Sequence, residues 1–250
     1  MDGQYFSHFG KHTCKGVIIV FALAVTAGGQ NTHSDFWHGW HGPAVQPYVS
    51  LHQLRAPAKA QKEVQRAADE LQRGRTEQAK RHIESALAAY DNYSVALALR
   101  GMVEWGEYDD THALADVQES IRVDPGCALA YLIKAEIYSG TGHYEDALAV
   151  LRGSSELLSW AWQYHYELCK ALLGAKEYAA SLSAINDALQ IASPSNTTAR
   201  DLASLHLFRA WVYAKLSEIG NARAEYDVAQ KQDPKGDIGA AARHQLEHLH

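Results

Sequence analysis

The sequence predicts an all-α protein, an α-solenoid of about five helix–turn–helix repeats that ends in a C-terminal capping helix. Two observations support this prediction. The same residue pattern recurs at a period of 34, a spacing typical of stacked helical repeats. Some columns of this repeat always hold small residues, whereas another always holds large ones. Because two antiparallel helices approach closely only where one lacks side-chain bulk, this alternation indicates helices that pack in pairs.

The columns define the repeat boundaries. One column is always small and contains Ala67, Gly101, Ala135, Cys169 and, after a seven-residue insertion, Ala210. Another is always large and contains Ile83, Val117, Leu151, Ile185 and Tyr226. We therefore assign the repeats to 60–93, 94–127, 128–161, 162–195 and 203–236, within an array that spans 58–250. Residues 237–250 have apolar side chains at helical spacing and polar ones between them, as expected of a capping helix.

The third unit, 128–161, resembles the tetratricopeptide repeat (TPR) family. The residues that carry the resemblance are Tyr131, Ala135, Tyr138, Gly142, Tyr144, Ala147, Leu151 and Ser154. Pro125 and Pro234 end their units where this family usually has a proline. The resemblance implies a scaffold that binds another protein or a peptide, with the first helix of each repeat on the inner, concave side.

Four repeats depart from the family pattern by placing a cation before the small column, namely Arg66, Arg100, Lys134 and Arg209, and two of these repeats also carry a matching acid. Arg100 with Asp116, and Arg209 with Glu225, stand at the same offset in repeats two and five. We predict that each pair forms an ion pair between the two helices of its repeat. The alternative is two separate, solvated surface charges.

The start of the chain has the pattern of an export signal. Residues 1–15 end in Lys11 and Lys15, and the charge-free apolar run 16–27 finishes in small residues that signal peptidase accepts. This run is short of the ~20 residues that a membrane-spanning helix needs, so we expect a cleaved signal peptide in 1–27. The array would then be exported, to a periplasm or as a secreted protein. A retained signal anchor, with the repeats outside the cytoplasm, is the alternative.

Residues 28–57 are rich in glycine, proline and aromatic residues and lack helical or strand periodicity, which predicts a linker. Trp37 and Trp40 provide aromatic groups that could dock on the first repeat. His38 and His41 suggest a metal site only weakly, because no cysteine or carboxylate cluster completes a ligand set. We therefore expect no bound metal.

Composition and motifs argue for binding rather than catalysis. The formal net charge of −6 does not favour a nucleic-acid surface. No phosphate-binding loop, zinc-protease, CxxC, nucleophile-elbow or dinucleotide motif occurs, so we expect no cofactor and no enzymatic activity. Cys127 and Cys169 lie in different repeats and are expected to be free thiols.

By its resemblance to the family, the sequence implies a partner-binding groove on the first helices. Its residues would be Val95, Ala98, Met102, Trp105, Leu129, Leu132, Glu136, Tyr166, Lys170, Leu207 and Trp211. The middle of this strip is apolar and lacks the cations that grip the carboxylate of a chaperone tail. Three interpretations stay open: a groove for an apolar or amphipathic segment, a surface covered by self-association or by the N-terminal segment, and core packing between neighbouring first helices.

The junction into repeat four concentrates aromatic residues. We predict that Trp160 and Trp162 are exposed edge residues of the kind that anchor interfaces. The functional prediction is an exported TPR adaptor that holds another protein or a peptide. The alternative is a structural subunit that self-associates, or joins an envelope complex, through the aromatic linker and this edge.

Overall fold

The computed structural model describes residues 50–249, which form an all-α solenoid. Thirteen helices occur within that range: α1 Leu51–Arg55, α2 Ala58–Gln72, α3 Thr76–Ala89, α4 Ser94–Gly106, α5 Asp110–Val123, α6 Ala128–Gly140, α7 Tyr144–Gly153, α8 Ser155–Leu158, α9 Trp162–Gly174, α10 Tyr178–Ile191, α11 Ala199–Lys215, α12 Ile219–Gln232 and α13 Asp237–His248. The predicted fold class is confirmed. The signal-like run, Trp37, Trp40, His38 and His41 lie outside the described residues.

Each repeat is one pair of antiparallel helices. The pairs are α2 with α3, α4 with α5, α6 with α7, α9 with α10, and α11 with α12, and α13 packs on the last pair. The small columns allow these helices to approach closely. A Cβ built on Gly101 would lie 2.8 Å from both the Ala113 carbonyl oxygen and Val117 Cγ2, so only glycine fits there without movement.

The same turn joins the two helices of every repeat. Five residues adopt a left-handed backbone with φ between 63° and 81°: Gly74, Tyr108, Gly142, Lys176 and Ser217. The amide of the residue that follows each of them donates to a carbonyl five residues earlier, at 2.8–3.0 Å. This is the Schellman arrangement, which satisfies free carbonyls at a helix end. Because this turn recurs once in each repeat, the repeats share a backbone conformation as well as a side-chain pattern.

Both predicted ion pairs between helices are present. Arg100 and Asp116 form a bidentate pair in which Nη2 donates to Oδ1 at 2.7 Å. Arg209 Nη2 donates to Glu225 Oε1 at 2.8 Å. Cys127 and Cys169 are buried free thiols, also as predicted.

The end of the predicted linker is helical, which corrects the expectation for 28–57 in its last residues. α1 begins after Ser50, whose hydroxyl accepts from the Gln53 amide at 3.1 Å and donates to Asp124 at 2.6 Å. The His52 ring stacks on Tyr90 with ring centroids 5.5 Å apart. This short helix therefore depends on contacts with the array, which a periodicity search cannot detect.

Two repeats differ in detail from the predicted pattern. The second helix of repeat three breaks after Gly153, where the Ser154 hydroxyl donates to the Val150 carbonyl at 2.8 Å and competes with the helical bonds. In repeat five the insertion extends the first helix, which begins at Ala199 rather than near 203. Thr198 and Asp201 form a capping box at that start, which explains the extra turn.

Candidate functional site

The first helices of the repeats form one continuous layer. α2 contacts α4, α4 contacts α6, α6 contacts α9, and α9 contacts α11, and each second helix lies against the first helix of the next repeat. All of the residues predicted to line a groove lie on α4, α6, α9 or α11. The structure therefore places them in one layer, which we call the inner layer.

The N-terminal part of the predicted strip is core. Five of its residues are at most 5% exposed and belong to one hydrophobic cluster: Val95, Ala98, Met102, Trp105 and Leu129. The Trp105 ring occupies the space beside Gly140 of the next repeat, where a Cβ would lie 2.5 Å from the ring. Leu207 is also buried. These six side chains hold neighbouring repeats together and present little surface to a partner.

The C-terminal part of the strip is more open. Leu132, Tyr166 and Trp211 are half-buried, and so is Phe208, which the sequence analysis missed. The Tyr166 and Phe208 rings meet edge to face at 5.0 Å between centroids, and Phe208 meets Trp211 in the same way at 4.6 Å. We call these four side chains the aromatic face. Phe208 stands at the same repeat offset as Glu167, and this offset was not included in the predicted groove.

Three charged side chains lie beside the aromatic face, at the contact between α6 and α9. Lys170 Nζ donates to Glu136 Oε2 and, at 3.1 Å, to Glu167 Oε1. Nζ also lies 5.3 Å from the centroid of the Tyr166 ring. The side chains of Glu136, Glu167 and Lys170 are 15%, 12% and 6% exposed. We call them the charged trio. Glu136 and Lys170 were predicted, and Glu167 was missed because its repeat offset, one residue after that of Tyr166, was not included in the predicted groove.

The trio contains one acid more than it has cations. Burial opposes ionisation of Glu136, but the Lys170 ammonium is close enough to hold the pKa of Glu136 below its usual value. Burial and the Glu136 charge raise the pKa of Glu167 well above its usual value. The pKa of Lys170 is raised, because the two carboxylates outweigh the effect of burial. The trio is therefore close to neutral when Glu167 keeps its proton.

The prediction that Trp160 and Trp162 form an exposed edge is wrong for Trp162, which is 5% exposed. Its indole Nε1 donates to the Asn196 carbonyl at 3.0 Å, so the inserted loop after α10 folds against it. Trp160 is half-buried and donates to the Leu157 carbonyl at 2.7 Å. Trp162 is buried because the loop supplies a contact from beyond the repeat, whereas Trp160 bonds within its own turn.

Between residues 50 and 249, no three histidine, cysteine or carboxylate side chains gather in a way that could hold a metal ion. None of the helices in this range has the length and apolar character needed to cross a bilayer.

By sequence, neither a protein-family model nor a curated protein matches this chain. By structure, it is similar to the TPR protein TTC0263 of Thermus thermophilus, with a TM-score of 0.65, 19% identity, and coverage of 75% of this chain and 99% of that one. A TPR protein from Parabacteroides merdae has a TM-score of 0.60 and 16% identity, with coverage of 75% and 70%. Pseudomonas aeruginosa PilF has a TM-score of 0.57 and 22% identity, with coverage of 77% and 92%.

At 16–22% identity, these neighbours show what fold the chain has. The paired helices, the recurring turn and the structural neighbours agree with one another. The described part of this chain has the fold of the tetratricopeptide repeat proteins.

Proposed function

We propose that this chain is an exported adaptor that holds a segment of another protein, or a peptide, against the aromatic face. The observation that carries the proposal is the half-buried group of Leu132, Tyr166, Phe208 and Trp211 on three successive first helices. Aromatic side chains provide large contact areas at low entropic cost, and they often dominate binding energy at interfaces. The other apolar residues of the predicted strip are packed as core, so binding is expected at repeats three to five.

Export is proposed from the sequence of 1–27. A cleaved signal would leave a mature chain that begins at Gly28, and a retained one would tether the repeats outside the cytoplasm. The expected result of N-terminal sequencing of protein from the native host is Gly28, in a periplasmic or secreted fraction. An intact Met1 in a soluble cytoplasmic fraction would disprove export.

The binding proposal is tested by cross-linked co-purification from the native host. The variant Leu132→Ala/Trp211→Ala removes two contacts from the aromatic face. The matched control is Leu182→Ala/Leu189→Ala, which truncates two half-buried side chains on α10. Circular dichroism first confirms that both variants remain helical. We expect specific partners to be lost with the first variant and retained with the control.

Each outcome has a defined meaning. Partners that persist at wild-type levels in the Leu132→Ala/Trp211→Ala variant would refute binding at the aromatic face. If the main cross-linked partner is a second copy of this chain, the structural-subunit alternative replaces the adaptor. The burial of Trp162 already removes one of the exposed anchors on which that alternative relied.

A further inference from the structure

We propose that the segment held on the aromatic face is cationic as well as apolar, with a lysine or arginine side chain placed against Glu136 and Glu167. This inference rests on the proposed function and specifies the chemistry of its partner. The apolar part of the segment would lie on Tyr166, Phe208 and Trp211.

Position supports the inference, because the trio and the aromatic face belong to one surface. Glu136, Lys170 and Trp211 occupy the same column of successive repeats. Tyr166 joins the two groups, since its ring faces Lys170 at 5.3 Å and Phe208 at 5.0 Å. A segment that crosses from α11 to α6 would pass from aromatic rings to carboxylates. An aromatic surface next to carboxylates is also favourable for a cation on electrostatic grounds.

Charge balance supports it further. Two cations on α11 already have acidic partners: Arg200 lies 2.6 Å from Asp237 Oδ1, and Arg209 pairs with Glu225. Lys170 is the cation of the trio and faces two carboxyl groups. The surface therefore has a carboxyl group in excess, and the net charge of the chain, −6, attracts cationic segments over longer distances.

Binding should also release a proton. Burial and the Glu136 charge raise the pKa of Glu167, and a second cation beside it would favour the ionised form. The charged and titratable groups that face Glu167 are Glu136 from α6 and Lys170 from α9, with Tyr166 and Cys169 nearby. On α11, Phe208 and Trp211, which reach this region through Tyr166, are not titratable. Affinity should accordingly increase as the pH rises.

The test uses random twelve-residue peptides displayed on phage and selected against the full chain. Selected sequences are synthesised with each lysine or arginine intact or replaced by a neutral analogue, citrulline for arginine and norleucine for lysine. Binding is measured by fluorescence anisotropy to wild type, Glu167→Gln and the exposed control Glu145→Gln on α7. We expect selected peptides to combine basic with aromatic or aliphatic residues.

A charge-assisted contact predicts a loss of about 10- to 100-fold in affinity when the peptide cation is neutralised. Glu167→Gln should weaken binding to a similar degree and make the protein indifferent to the neutral analogue, whereas Glu145→Gln should change nothing. Calorimetry in two buffers of different ionisation enthalpy should report proton release for wild type and none for Glu167→Gln.

The failures are distinguishable. Peptides that require Trp211 for binding but contain no basic residue would overturn this inference and leave the proposed function standing. The same holds for peptides that lose no affinity when their basic residues are replaced by neutral analogues. If no peptide is selected, or if none is weakened by Trp211→Ala relative to Leu189→Ala, the proposed binding face itself is wrong. Unchanged affinity of a cationic peptide for Glu167→Gln also overturns the inference.

Discussion

Glu104 on α4 is a half-buried carboxyl group with no close cation of its own, and its titration should be visible in the stability of the whole array. Its nearest cation is Arg100, whose Nε lies 3.9 Å from Glu104 Oε1 but is already paired with Asp116. Oε2 is buried and accepts no hydrogen bond from residues 50–249. Burial, with a further contribution from the Asp116 charge, raises the pKa of Glu104 from 4.5 to about 7.

The sign of the effect follows from proton binding. Between pH 4.5 and 7 the folded chain keeps a proton on Glu104 that the unfolded chain has released, so the free energy of unfolding falls as the pH rises. Above pH 7 Glu104 is ionised in the folded chain as well, and its full destabilising effect is present. The difference between the two pKa values corresponds to about 3 kcal/mol, and this is an upper value because the Glu104 side chain is 23% exposed. Glu104→Gln keeps the shape of the side chain and removes the titration.

We therefore expect Glu104→Gln to match wild type near pH 4.5 and to exceed it by up to about 3 kcal/mol at pH 8. Urea unfolding followed by circular dichroism at pH 4.5, 6, 7 and 8 measures the difference. The control is Glu119→Gln, because Arg122 lowers the pKa of this exposed acid and gives the opposite, small pH dependence. A stability difference that is constant with pH, or that shrinks as the pH rises, would refute the reasoning.

Three further predictions concern the trio, the turns and the thiols. Lys170→Met should lower the free energy of unfolding in urea by about 3–5 kcal/mol, because it leaves buried carboxyl groups without their cation. Adding Glu136→Gln should restore most of this loss. No restoration would contradict the charge argument. Gly142→Ala should destabilise the protein by about 1–2 kcal/mol, because φ at this position is +81°. Gly220→Ala, in open space on α12, should instead stabilise it by up to ~1 kcal/mol. Equal effects of the two substitutions in thermal unfolding would count against a strained turn. Cys169, whose thiol pKa burial raises to about 12, should react with iodoacetamide at pH 8 only after unfolding, and rapid labelling of the native protein would show that the site opens.

Features that depend on one repeat or its period were predictable from the sequence. Gly101 lies against Val117 as the small and large columns required, and Arg100 pairs with Asp116 because their offset places them on facing helices. These predictions succeed because a repeat of 34 residues contains both contact partners. The signal peptide and the linker assignment for 28–49 stay predictions.

Features that depend on contacts between a repeat and a non-repeated segment were not predictable. The burial of Trp162 requires the loop at Asn196, and α1 is held by the contact of Ser50 with Asp124. The groove was only partly described for a related reason. A repeat register identifies inner positions but does not say how closely adjacent first helices approach, so Met102 and Leu132 looked alike although only Met102 is fully enclosed.

The buried core of the described residues is divided rather than continuous. One cluster extends from the first repeat into α6, a second covers repeats three and four with part of α11, and a third joins α11, α12 and α13. In such an array, stability is set largely by nearest-neighbour contacts, and one end can open before the rest. Loss of the terminal unit would remove Phe208 and Trp211 while the carboxyl groups on α6 and α9 stayed in place. A protease or unfoldase that engages α13 would therefore release the proposed segment before it destroyed the scaffold, so the lifetime of such a complex would depend on how firmly α13 is attached.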